Sequence, residues 1–385
     1  MERTEPQCKH YKKCGGCQLQ NMTYSEQLEY KQNLEERLLS GFCRVNKIIG
    51  MKNPYHYRNK VQAAFGYDKR RNKIISGVYQ SGSHRIVPVD SCLIEDKKAD
   101  AIIVSIRKLM RDFKFMPYDE NTGRGFIRHV LVKRGFSTNQ IMVVIVTGSP
   151  IFPAKKNFTK ALLKLHPEIT TIVHNINPYR TNLVLGPQEK ILYGKGYIED
   201  ILCGCVFRIS AKSFYQINPI QTEILYNTAI DYAELTGRET FFDSYCGTGT
   251  IGIIAAKKAK NVIGVELNRD AVQDAIFNAK RNCTKNIFFA CDDATKFIIE
   301  MANEGSEHVD VVMMDPPRAG STEAFLDAVA KLGPERVVYV SCNPETLARD
   351  LAYITKKGYK TVEIQPVDMF PHTAHVETVC KLVKK

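Results

Sequence analysis

The run VVYVSCNPET, residues 337–346, carries an apolar strand up to a cysteine and then stops it with Asn343-Pro344. A structural thiol belongs inside such a run. Cys342 stands at its lip, where open α/β sheets place their chemistry. A thiolate there is a nucleophile for covalent catalysis. One reaction that needs it is substitution at C5 of a uracil, which is a poor carbon nucleophile. Sulfur adds to C6, C5 becomes enolate-like and takes up an electrophile, a base removes the C5 proton, and sulfur leaves. Such a thiol must be accessible and its thiolate favoured by its surroundings. A His or a carboxylate must stand near C5. The segment MFPHTAHVETVC, residues 369–380, offers His372, His375 and Glu377. Val376 and Val379 flank Glu377, an apolar setting that raises a carboxyl pKa. Taken singly, Cys342 also reads as a small buried hydrophobe, and Glu377 as a charge on an edge strand.

The electrophile needs its own site. In FFDSYCGTGTIG, residues 241–252, Gly247, Gly249 and Gly252 fit G-x-G-x-x-G between a strand and a helix. Glu266 ends the following strand, where an acid bonds a ribose diol. On its own the loop fits NAD nearly as well as S-adenosylmethionine. Asp243, at the strand tip, would repel a pyrophosphate but suits a cationic methionine moiety. The fourth strand ends in Asp315-Pro-Pro-Arg318, similar to the loop at the methyl-transferring edge of nucleic-acid methyltransferases.

A second cluster of reactive residues lies near the N-terminus. Cys8, Cys14 and Cys17 form C-x5-C-x2-C, and Cys92 follows a strand in VDSCLIED. Four thiolates suit zinc and an iron–sulfur cluster equally by chemistry. The polar start MERTEPQCKHYKK resembles no signal peptide, and no run approaches about 18 apolar residues. A cytoplasmic protein is expected, with no membrane partner, and a monomer. In a reducing compartment its twelve cysteines form no disulfide framework. The other cysteines read as packing residues or idle thiols.

The elements that must hold these residues change texture near residue 212. Before it, an amphipathic helix over 23–40, capped by Thr23 or Ser25, leads into β-hairpins over 55–90. A helix over 98–115, strands over 126–147, a helix over 155–166 and a strand over 170–177 follow. That is an α+β domain rich in antiparallel strands. After Ser213, strands and helices alternate, which predicts a mostly parallel seven-stranded sheet covered by helices, a Rossmann-like α/β domain. The expected domains are 1–212 and 213–385. Charge divides the same way. Residues 1–212 hold 35 Lys and Arg against 18 Asp and Glu, and residues 213–385 hold 19 against 23. A basic half beside a mildly acidic one predicts a polyanion-binding module. Candidate phosphate contacts are Arg58, Lys60, Lys69, Arg70, Arg71, Arg128, Lys133 and Arg134.

YCGTG, DPPR, SCNP and MFPHTAHVE, in this order and spacing, resemble the RNA (uracil-5-)-methyltransferase family, and SFYQIN at 213–218 extends the likeness. The likeness covers essentially the whole chain. It implies a class I methyltransferase domain, with Cys342 as the C6 nucleophile and Glu377 as the C5 proton acceptor. It implies that Gln216, Tyr245, Gly247, Thr250, Glu266 and Asp315 line the S-adenosylmethionine site, with Asp315 also near the target base. Asp293 is a candidate for the adenine end and Phe214 for stacking on RNA. In the ribosomal-RNA branch of that family, matching cysteines hold a [4Fe–4S] cluster, and Cys8, Cys14, Cys17 and Cys92 match all four. Related 5-methylcytosine enzymes carry a Cys in the fourth-strand Pro loop, where this chain has Pro317-Arg318. Many family members also carry a small β-barrel RNA-binding domain before the cysteines, which is expected to be absent here.

The resemblance therefore implies a 23S ribosomal RNA uracil-C5 methyltransferase with an RNA partner. The same chemistry on the T-loop uridine of tRNA is the alternative, although the tRNA branch typically lacks the cysteines. An NAD-dependent oxidoreductase explains the glycine loop but gives DPPR and SCNP no task. A non-catalytic RNA-binding protein leaves the reactive residues unused.

Overall fold

A computed structural model describes residues 5–304 and 308–385. Seven strands form the first sheet: β1 (Lys60–Asp68), β2 (Lys73–Tyr79), β3 (Ile86–Pro88), β4 (Ile127–Arg134), β5 (Ile141–Thr147), β6 (Ile169–Ile176) and β7 (Gln188–Tyr193). Their order is β3-β2-β1-β4-β5-β6-β7, antiparallel except for the β5–β6 pair. Helices α1 (Tyr11–Cys14), α2 (Tyr24–Leu39), α3 (Lys97–Asp112) and α4 (Lys155–Leu165) belong to this half of the sequence. A hairpin of β8 (Tyr197–Leu202) and β9 (Cys205–Ser210) leads out of it.

β5 reads IMVVIVT and is buried on both faces. The period-2 geometry of a strand sends its residues alternately into two cores. Ile141, Val143 and Ile145 join α3 and α4. Met142, Val144 and Val146 meet the β8–β9 hairpin and the second half of the molecule.

The second half contains α5 (Pro219–Ala233), β10 (Thr240–Ser244), α6 (Thr250–Ala255), β11 (Asn261–Glu266), α7 (Arg269–Arg281) and β12 (Ile287–Cys291). It continues with α8 (Ala294–Glu304), β13 (Val311–Met314), α9 (Glu323–Leu332), β14 (Arg336–Ser341), α10 (Pro344–Ile354), β15 (Tyr359–Val367) and β16 (Glu377–Lys384). The sheet order is β12-β11-β10-β13-β14-β16-β15. The five strands β10–β14 run parallel, and β16 is antiparallel to both its neighbours. This is the Rossmann-like methyltransferase sheet expected from the sequence. Its strand order reverses between β10 and β13, and ligands bind at such a switch point.

The N-terminal chain crosses the 212/213 division. Thr23 caps α2 through a capping box with Glu26. Leu39 and Val45 then enter the core of the second sheet. Val45 and Ile49 bridge in parallel to Ile364 and Val367 of β15. Helical spacing puts Gln27, Lys31 and Glu35 on the buried face of α2, a polar stripe where an apolar one is usual. Among the described residues no helix is long and apolar enough to cross a membrane.

Candidate active site

The glycine loop is shaped by two close approaches. At Gly252 a Cβ would come within 2.9 Å of the Asp243 carboxylate, because the Gly252 N–H donates to Asp243 Oδ2 at 2.8 Å. At Gly249 the backbone is left-handed, φ +76°, and a Cβ would meet the Phe289 ring at 2.8 Å. Tyr245 is left-handed too, φ 62°, a conformation costing a non-glycine residue about 1 kcal/mol or more. Glu266 closes the other side. Its Oε2 accepts from Gly247 N–H at 3.1 Å and its Oε1 from Asn268 N–H at 2.8 Å.

Beyond this loop opens a cavity of about 470 Å³. Gln216, Tyr245, Gly247, Thr250, Glu266 and Asp315 all line it, as do Cys342 and Glu377. Five of them arrive from the ends of five different strands. Tyr245 follows β10, Glu266 ends β11, Asp315 follows β13 and Cys342 follows β14. Glu377 opens β16, and the antiparallel register pairs Ser341 with Thr378. Reversal of that one strand therefore carries a carboxyl back beside the thiol. Asn343 fixes the turn after Cys342. Its N–H donates to Ser341 Oγ, its side chain caps α10, and its Nδ2 donates to Arg318 O at 3.2 Å. The SCNP and DPPR turns are thus tied together.

Gln216 reaches the wall on an extended segment anchored by the first half of the molecule. Asn59 Nδ2 donates to Gln216 O at 3.0 Å, and Asn59 N–H to Ile217 O at 2.9 Å. Phe214, 67 % exposed, lies at the cavity rim. Of the three base candidates, His375 and Glu377 line the cavity. His372 is buried elsewhere, against Gln27 of α2. Asp293 is absent from the cavity wall, where Tyr226 and Arg318 appear instead. Arg318 could have been found from DPPR itself. Nothing in the sequence marks Tyr226.

Burial governs the electrostatics. It holds the Asp315 carboxyl up to about 7 and, with the Asp315 and Glu266 charges added, Asp243 up to about 8. Glu377 is 5 % exposed and lies well above the usual carboxylate range, through burial and then the Asp315 charge, with Arg318 opposing. The Cys342 thiol is pushed up to about 11 by burial and then by Glu377 and Asp315, against Arg318. The expectation of a thiolate favoured by its surroundings therefore fails for the ligand-free site. A cation beside Asp315 would act in the opposite sense, because it favours the ionised form of each acid around it. The N-terminal end of α10, just after Cys342, acts in the same sense.

The N-terminal cysteines gather in one neighbourhood. Cys17 and Cys92 both pack on Met51, Tyr57 and Ile94. Burial pushes the Cys17 thiol up to about 11, and the nearby Cys14 and Cys8 add to this. The donors fit a thiolate-bound group in type. Among the described residues, however, no three or more His, Cys, Asp or Glu side chains stand close enough together to hold a metal ion.

Three of the predicted phosphate contacts are turned inward. Arg128 donates to Asn177 O and Tyr179 O, Lys133 to Ser210 O and Ser213 O, and Arg134 to Asp96. Burial brings Lys133 down to about 7. Arg58 and Lys60 are half-buried, while Lys69, Arg70 and Arg71 are exposed at the β1–β2 turn.

The sequence profile of the tRNA (uracil-5-)-methyltransferase family matches residues 23–385. The chain belongs to this family. An uncharacterized RNA methyltransferase of Clostridium tetani is 45 % identical over 98 % of this chain and 82 % of the relative. One from Halalkalibacterium halodurans is 43 % identical over 100 % of this chain and 84 % of the relative. Among solved structures, the Pyrococcus abyssi tRNA (uracil-54, C5)-methyltransferase in complex with S-adenosyl-L-homocysteine is similar, with a TM-score of 0.81 and 29 % identity. The match covers 96 % of this chain and 86 % of that one. A uracil-5-methyltransferase needs a pocket for a methyl donor with a nucleophile and a base at its edge. The cavity between β10 and β16 places a thiol, Cys342, and a carboxyl, Glu377, on the same wall as Asp315 and Glu266.

Proposed function

We propose that this protein methylates uracil C5 in 23S ribosomal RNA, using S-adenosylmethionine and a covalent Cys342–C6 adduct. The observation that carries the reading is the placement of Cys342 and Glu377 across the β14–β16 ladder on the wall that also holds Asp315 and Glu266. When bound along the glycine loop, S-adenosylmethionine supplies an electrophilic methyl group on a sulfonium cation. Glu266 suits its ribose hydroxyls, Asp315 and Asp243 its cationic part, and Tyr245, Gly247, Thr250 and Gln216 form the surrounding walls. The Cys342 thiolate adds to C6, and the negative charge spreads over C5, C4 and O4, making C5 the nucleophile. Once C5 carries its methyl group, ionised Glu377 takes the C5 proton. The C6–S bond then breaks, the 5,6 double bond is restored and the thiolate returns. Both faces of the base must be reached, so the uridine leaves its stack. Phe214 at the rim provides a surface for it or its neighbour.

The same chemistry on tRNA is the second reading, favoured by the likeness to a tRNA (uracil-54, C5)-methyltransferase. The four cysteines favour ribosomal RNA. For these we propose a structural [4Fe–4S] cluster held by Cys8, Cys14, Cys17 and Cys92, supported by their donor type and common neighbourhood. Anaerobically purified protein should then be brown, with a broad band near about 400 nm. Colourless protein with stoichiometric zinc would exclude it.

The deciding experiment measures tritium release from [5-³H]uridine-labelled ribosomal RNA and tRNA, for wild type and Cys342→Ala. Release from ribosomal RNA alone, lost in the variant, is expected. Release from tRNA alone would keep the mechanism and change the substrate. No release from either would reject the function.

A further inference from the structure

The chemistry above gives the polar stripe of α2 no task. Lys31 Nζ donates to Asp368 Oδ1 at 2.5 Å and to Phe370 O at 3.1 Å. Both charged side chains are 0 % exposed. Tyr24 Oη donates to Asp368 Oδ2 at 2.8 Å. One turn along, Gln27 Oε1 accepts from His372 N–H at 2.9 Å, and Gln27 Nε2 meets His372 Nδ1 at 3.2 Å. A buried ion pair is weak evidence for stability, since desolvating both charges offsets their attraction and an apolar pair often serves as well. Where these contacts fall is more informative. All of them grip residues 368–372, the connection between β15 and β16. That connection supplies Phe370 and His375 to the cavity wall and ends at Glu377.

The nucleophile is held mainly from other elements. Cys342 and the donor walls rest on β10, β11, β13 and β14, to which neither Lys31 nor Gln27 is hydrogen-bonded among the described residues, although α2 also packs on α10. The sheet holds Glu377 through β16 and beside Val367 of β15, and the connection leads into it from its N-terminal side.

We propose that Lys31, with Gln27 in support, is a positioning residue for C5 deprotonation. It locks the β15–β16 connection through Asp368, so that Glu377 meets the methylated adduct in one geometry. This rests on Glu377 being the C5 base. Loosening the lock should separate the two halves of the reaction. Sulfur addition and methyl gain at C5 would continue, while loss of the C5 proton and cleavage of the C6–S bond would slow together.

The test uses the full chain with Lys31→Met, Lys31→Arg and the charge-free pair Lys31→Met/Asp368→Asn, the last avoiding an unpaired buried carboxylate. Three quantities are read: tritium release from [5-³H]uridine-labelled RNA, the protein–RNA adduct surviving denaturing electrophoresis, and S-adenosylhomocysteine affinity. In the double variant, tritium release is expected to slow by about 10–100-fold, the cost of a small misplacement at a reacting centre. The adduct should rise several-fold at steady state, with KM for RNA and S-adenosylhomocysteine affinity within about twofold, and Lys31→Arg should recover most of the release rate. Adduct and release falling in parallel, both staying unchanged, or loss of S-adenosylhomocysteine binding would each assign Lys31 to general architecture and overturn the proposal. If wild type itself shows neither release nor adduct, the reaction proposed above is at fault, and this inference falls with it.

Discussion

The Asp243 carboxylate and the backbone of Gly252 are in direct contact, donor to acceptor at 2.8 Å, with no room between them for a methyl group. This contact seats α6 on the tip of β10. Gly252→Ala should therefore push the helix start away from the strand. The expected result is a loss of about 1–3 kcal/mol in stability, as for overpacking generally, with S-adenosylhomocysteine affinity reduced at least tenfold. Thermal unfolding and calorimetric titration check both.

Cys342→Ala and Glu377→Gln should fail differently. Neither change touches the glycine loop, so both variants should bind S-adenosylhomocysteine within about twofold of wild type. Cys342→Ala should form no adduct. Glu377→Gln should form one that persists, because sulfur addition precedes proton removal. Denaturing electrophoresis with labelled RNA separates the outcomes. Absence of adduct in Glu377→Gln would remove that residue as the C5 base.

Glu35, the last polar residue of the α2 stripe, is fully buried, and neither carboxylate oxygen has a hydrogen-bond partner. Burial raises its pKa to about 7, above about 4.3 in an unfolded chain. The folded state therefore holds this proton more tightly, and its contribution to stability is lost as pH rises from about 4.3 through about 7. Glu35→Gln is free of that loss. The difference in Tm between variant and wild type should grow in favour of the variant across this window and level off above it. A constant difference from pH 5 to 8 would contradict the assignment.

Phe214 is the exposed aromatic at the cavity rim. Stacking of a base on an aromatic side chain contributes about 1–3 kcal/mol. Phe214→Ala should raise KM for RNA by roughly 5–100-fold at most, with little change in Tm. An unchanged KM would reduce Phe214 to a wall residue.

Sequence alone singled out most residues that meet in the cavity because they sit in short motifs at strand ends. YCGTG, DPPR and SCNP follow β10, β13 and β14, and sheet topology does the rest. Glu377 was readable for a similar reason, on the antiparallel last strand. What stayed hidden depends on long-range packing. Gln27, Lys31 and Glu35 look like the solvent face of an amphipathic helix, and only the fold shows that all three are buried and that Gln27 and Lys31 find partners at residues 368–372. Arg128, Lys133 and Arg134 look like RNA contacts because a basic segment is read as surface, whereas each finds internal acceptors. The surroundings of the thiol were hidden in the same way: its position is local, but its pKa is raised by burial and then by Glu377 and Asp315, and neither the burial nor Asp315 can be read from the neighbouring sequence. β7 lacks an apolar alternation, and β9, which buries Cys205, Phe207 and Ile209 in alternation, is not among the expected strands.

Helix α2 is made well before the residues it grips, with Lys31 and Asp368 337 positions apart. During synthesis the stripe has no partner there until that intervening stretch has been made. An apolar inner face would be an aggregation hazard over that interval. A stripe of glutamine, lysine and glutamate can stay hydrated until β15 and β16 emerge. The strand-edge bridges at Val45 and Ile49 rest on the same β15 edge, so this wall of the cavity cannot close until β15 and β16 have both been made.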